Sequence, residues 1–240
     1  MSATRPCLLL VPEFTEVQWT FKPELEEWAE VRSYDPPGVG KEPLPREISR
    51  DSVVLRGLKE LEEAAWDRFF IVADGWAIAT AVRIAEKRRE DVAGLALGHA
   101  ALSQRTEGER APMNREVFAA MSQLINTDVP SFIRHGIAQA TKGSIDEDVA
   151  EQIVSRMPAE YMVQGWAAFT ADDPFGDALT NLSCPLLLAK HEGCLMSTDE
   201  GFEDAAAALP DAQTLAVTDA PSTSSEFAEA LRRFCREEAK

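Results

Sequence analysis

Hydrophobic positions along this chain fall into two patterns that take turns. Short continuous apolar runs that end at turn residues recur as CLLLVP from Cys7, VRSYD from Val31, FFIVAD from Phe69, VAGLALGHA from Val92, CPLLLAKH from Cys184 and TLAVTD from Thr214. Runs without polar alternation predict strands covered on both faces. Between most of them, apolar residues recur at helical spacing. VVLRGLKELEEAAW from Val53 sets Val54, Leu58, Leu61 and Ala65 on one side and its acids on the other. AIATAVRIAEKRRED, EGFEDAAAALPD and SSEFAEALRRFCREEA behave alike, the last with Ser224 as its N-cap. Buried strands alternating with amphipathic helices imply an α/β fold, a mainly parallel, doubly wound sheet.

The alternation stops from about Met113 to Asn181. Four helical segments stand there without a strand: NREVFAAMSQLIN, PSFIRHGIAQATKG, DEDVAEQIVSRMP and AEYMVQGWAAF. The expected organisation is a core of residues 1–103 and 182–240, with a helical cap or lid of residues 104–181 inserted after the strand that ends near His99. The cap's aromatic and methionine residues, among them Phe118, Met121, Phe132 and Trp166, are expected mostly to pack on one another, with a minority facing a ligand.

At 240 residues the chain suits one folding unit. A formal charge of −17 repels phosphate backbones and anionic lipid surfaces, so no nucleic acid and no membrane partner is expected. The apolar run in MSATRPCLLLVPEF is too short for a signal peptide or a spanning helix, and a cytoplasmic location is expected. Cys7, Cys184, Cys194 and Cys235 show no CxxC spacing, so neither a metal site, a disulfide framework nor a cofactor is implied.

Taken in order, LLLVPEF, SYDPPGVGKEP, FFIVADGWAIATAVRIAEKRREDVAGLALGHA, CPLLLAKHEGCLMSTDEGFEDAAAALPDAQTLAV and SSEFAEALRRFCREE resemble the α/β-hydrolase superfamily over nearly the whole chain. The resemblance implies a nucleophile on the sharp turn, or elbow, after FFIVAD, an acid after a late strand, and a histidine on the loop before the last helix. Ungapped alignment of the elbow puts Gly75 at the nucleophile position, flanked by Ala73 and Ala77. The turn normally demands positive φ, which glycine takes without a steric penalty. The acid position falls near Gly193, with Glu192 one residue early, and the histidine belongs in TDAPSTSS, residues 218–225, which has none. The chain thus resembles a degenerate member without the Ser-His-Asp triad. The family's oxyanion-hole amides correspond to Trp76 and Phe14, with Pro12 and Glu13 where His-Gly is usual.

Ligands of such sheets bind outside the carboxyl ends of the strands. The polar residues expected there are Glu13, Asp74, His99, His191 and Glu192, with Cys194 close behind. Asp74, His99, His191 and Glu192 are candidates for proton transfer, an imidazole having its reference pKa of about 6.5. Each also has a plainer role as a hydrogen-bonded structural residue, and His135 on a cap helix is expected to be ordinary. Glu13, Phe14, Gly75, Trp76 and Trp19 are the candidates for contacting substrate. Three functions stay open. One is non-hydrolytic binding of a small apolar or carbonyl-containing molecule under the lid. Another is a divergent lyase, isomerase, cyclase, dehydratase or atypical hydrolase. The third is a pseudoenzyme that acts as an interaction partner or homodimer.

Overall fold

Six apolar runs become six strands. The computed structural model describes residues 5–12, 19, 21–103, 115–141, 147–171, 173, 175–191 and 198–238. In it the strands are β1 (Cys7–Leu10), β2 (Glu30–Ser33), β3 (Phe69–Asp74), β4 (Val92–Gly98), β5 (Leu186–His191) and β6 (Gln213–Val217). Every ladder between them is parallel, and their order is β2-β1-β3-β4-β5-β6. All residues of β3 and β4 are buried, which explains why those runs carry no polar alternation. The chain steps outward from β1 to β2 and then crosses back to β3. The crevice outside the carboxyl ends of β1 and β3 is therefore the switch point at which sheets of this kind bind ligands.

The helices are α1 (Lys22–Trp28), α2 (Arg50–Ala64), α3 (Ile78–Lys87), α4 (Arg115–Thr127), α5 (Val129–Thr141), α6 (Glu147–Arg156), α7 (Ala159–Thr170), α8 (Gly176–Thr180), α9 (Asp199–Ala208) and α10 (Ser225–Glu238). Helices α4 to α7 coincide with the four segments between β4 and β5. Two helices have no counterpart in the periodicity: α1 buries only Leu25 of its residues, and α8 is too short to show a repeat. Helix α2 starts before the apolar pattern at Val53, because a capping box joins Ser49 and Ser52 reciprocally. Ala65, expected on its buried side, is instead the exposed left-handed C-cap at φ 53°. Ser224 Oγ accepts the Phe227 N–H at 3.2 Å and caps α10 as its sequence implies.

Alternate strand residues face opposite sides of the sheet. Leu9, Ile71, Ala73, Leu95, Leu97 and Leu188 pack with α2, α3 and residues of the inserted helices such as Phe132, Tyr161 and Trp166. Leu8, Leu10, Phe70, Val72, Ala96 and Leu187 pack with Leu25 of α1 and with Phe227, Leu231 and Phe234 of α10. Each leucine, isoleucine, valine or phenylalanine among them contributes about 1.5–3 kcal/mol on burial. Because buried residues of α4 to α8 belong to the first cluster, the inserted helices share one apolar interior with the sheet.

Candidate functional site

Asp74 ends β3. It has the parity of Phe70 and Val72, so its carboxylate points to the side covered by α10 and by the 3-10 turn Pro221–Thr223 before it. There Asp74 Oδ2 accepts the backbone N–H of Ser222 at 3.2 Å. The sheet register pairs Asp74 with Gly98, which places His99 one step beyond the end of β4. His99 has φ +50°, a left-handed conformation uncommon for a side chain with a Cβ. Its Nδ1 lies 2.7 Å from Asp74 Oδ1.

Asp74 is only 3 % exposed. A buried carboxylate is tolerated where donors replace its water, and here an amide and an imidazole do so. With the hydrogen on Nδ1 directed at the carboxylate, the basic lone pair of the imidazole sits on Nε2. This is the arrangement by which an acid fixes the tautomer of a general base. The His99 side chain retains 14 % exposure, and the His191 ring from the end of β5 stands 5.9 Å from it at 65°. The structure thus brings Asp74, His99 and His191 together at three neighbouring strand ends.

Gly98 makes the approach possible. A Cβ there would lie 2.6 Å from Asp74 Oδ1 and 2.6 Å from Pro221 Cβ, closer than real contacts allow. Gly98→Ala is therefore expected to cost about 1–3 kcal/mol by overpacking and to push the carboxylate off the imidazole. Urea unfolding checks the first part, and loss of the Asp74–His99 hydrogen bond in the NMR spectrum of the ring nitrogens checks the second. A variant with native stability and an intact hydrogen bond would remove the positioning role.

Gly75 follows Asp74 directly, with φ +48°, and opens the 3-10 turn Gly75–Ala77 that runs into α3. The ring of Trp76 meets Trp166 at 5.5 Å and Phe118 at 6.4 Å, and Phe118 stacks on Trp166 at 5.3 Å. Trp76 thus faces the inserted helices, whose aromatic residues pack largely on one another.

Trp19 packs with Phe21 and Phe227 on the side of the sheet covered by α10. Glu13, Phe14, Glu192, Gly193 and Cys194 lie outside the described residues. His135 is exposed on α5. Gly98 and Ser222 escaped sequence reasoning. Ser222 acts through its backbone and leaves no side-chain signature, whereas a glycine next to a strand-end histidine was a usable signal.

Among the described residues no cluster of three His, Cys, Asp or Glu side chains is placed to hold a metal, and no helix is long and apolar enough to cross a membrane. No protein-family model and no curated protein matches the chain. Solved structures do. A bromoperoxidase from Bacillus anthracis is similar with a TM-score of 0.78 at 15% identity, over 98% of this chain and 93% of that one. A hydrolase from Oleispira antarctica gives 0.76 at 14% identity over 97% and 92%. An enol-lactonase from Burkholderia xenovorans LB400 gives 0.75 at 16% identity over 98% and 91%.

Proposed function

The chain has the α/β-hydrolase fold, and from that premise we propose that it handles a small, uncharged, apolar or carbonyl-containing molecule at the carboxyl ends of β3, β4 and β5. The inserted helices serve as its lid. His99 is the group that transfers a proton, and Asp74 orients it. The reaction class is one without a covalent acyl intermediate, such as a lyase, isomerase, cyclase or dehydratase, because Gly75 at the elbow offers no nucleophile. The observation that carries the reading is the 2.7 Å contact between His99 Nδ1 and Asp74 Oδ1, held from a left-handed His99. Strained backbone of this kind costs roughly 1–3 kcal/mol and persists where surroundings impose it, which fits a site better than a space-filling residue. The charge of −17 disfavours anionic substrates.

The test uses enolisable ketones, acetophenone and cyclohexanone, in deuterated buffer, with loss of the α-proton signal followed by NMR. Native protein is expected to accelerate the exchange, and His99→Gln to slow it by about 100-fold or more, the usual contribution of a positioned acid or base. Native exchange no faster than that with unfolded protein would sink the reading. Gly75 also favours a second reading, binding without turnover, in which the ketones bind by ligand-observed NMR and no deuterium enters.

A further inference from the structure

Arg50 breaks two local rules. It is a cation at the first residue of α2, where the helix dipole disfavours positive charge, and it is buried at 7 % exposure. Its partners explain the placement. Nε lies 2.8 Å from Asp173 Oδ2, and one terminal nitrogen donates to Phe169 O at 2.7 Å and Ala168 O at 3.4 Å. The other donates to Trp76 O at 3.4 Å. Ala168 and Phe169 belong to the last turn of α7, whose carbonyls lack partners within the helix and where α7 has no basic residue of its own. Asp173 in turn binds Arg83 of α3 at 3.0 Å. Burial pushes the Arg50 guanidinium down to about 10, with Asp173 opposing, so it stays charged at neutral pH.

We propose that Arg50 is a positioning residue that locks the carboxyl end of α7 to the elbow turn and so holds Trp166 against Trp76, two residues from Asp74. Through the Trp76 carbonyl the same lock fixes the elbow turn that follows Asp74, and the bearing of that turn on proton transfer rests on the reading of Asp74 and His99 given above. A planar guanidinium serves four acceptors at once, which an ammonium cannot.

Hydrogen exchange with mass spectrometry on the full chain tests the lock without a substrate. In Arg50→Ala the amides of α7 are expected to exchange about tenfold faster or more while those of β3 and β4 keep their protection, the signature of local opening. Millimolar guanidinium chloride should restore protection by filling the vacated place beside Asp173, and sodium chloride at the same concentration should not. Arg50→Lys should remain open. If Arg50→Ala does not fold, Asp173→Asn carries the test, with a smaller acceleration confined to α7. Unchanged α7 exchange, sheet and α7 accelerating together, or no rescue by guanidinium would each overturn the lock. An intact lock in a protein that deuterates no ketone would leave this inference standing and remove the proton-transfer reading instead.

Discussion

Removing His99 alone is expected to destabilise the protein more than removing His99 and Asp74 together. In His99→Ala the Asp74 carboxylate, 3 % exposed, keeps the Ser222 amide but loses the imidazole. Stripping a donor from a buried carboxylate costs more than the about 1–3 kcal/mol of a neutral group left unsatisfied, because the charge stays desolvated. Adding Asp74→Ala removes that charge and leaves only the Ser222 N–H to be satisfied, at about 1–3 kcal/mol. The left-handed backbone at residue 99 carries an alanine in both variants, so its strain cancels between them. Urea unfolding of the native protein, both single variants and the double variant closes the cycle, and a coupling of about 0.5–3 kcal/mol is expected. Additivity within about 0.5 kcal/mol would mean that the two groups do not share their burial. A purely structural pair would give the same coupling, so the ketone assay, not stability, assigns the chemistry.

The strands were legible because burial on both faces writes itself locally. FFIVA and VAGLALG are apolar throughout, and β3 and β4 are buried throughout. The helices that escaped notice, α1 and α8, have too few buried residues or too little length to write a period. Asp74, His99 and His191 were legible as polar residues at strand ends, but their meeting was not. It depends on the pairing of Asp74 with Gly98 and on the bend at His99, and neither is a property of one segment. The side of the sheet that the Trp19 ring joins was illegible for a related reason: nearness to the first loop along the chain does not fix it, and packing on Phe21 and Phe227 does. Arg50 was illegible altogether, since its strongest carbonyl partner lies 119 residues away and its own helix gives it no reason to be charged.

Alkaline pH is expected to unfold the protein early. Burial pushes the Cys235 thiol well above its ordinary 9.0, and the thiol is fully enclosed by the second apolar cluster. Burial likewise raises the Tyr34 phenol far above 10.0, with Arg56 opposing and Glu60 adding. The Cys184 thiol is raised to about 11, again by burial. In the unfolded chain these groups lose their protons near their ordinary values, whereas in the native state they keep them. Their contribution is therefore present in full below about pH 9 and is lost as pH rises, at about 1.4 kcal/mol per pH unit for each group. Arg50, lowered to about 10, works in the opposite direction and offsets part of the loss. A net loss of about 5 kcal/mol by roughly pH 11 is a large share of a typical stability of about 5–15 kcal/mol. Tyr34→Phe separates the contributions. The Tyr34 hydroxyl is buried without a hydrogen-bond partner among the described residues and fits only because residue 57 is glycine, whose Cβ would lie 2.7 Å from it. Deleting it should cost little at neutral pH and should flatten the fall in stability above about pH 10, as read from urea midpoints between about pH 8 and 11. An unchanged slope in that variant would mean that the phenol is not held neutral in the native state, and the alkaline loss would then belong to the thiols.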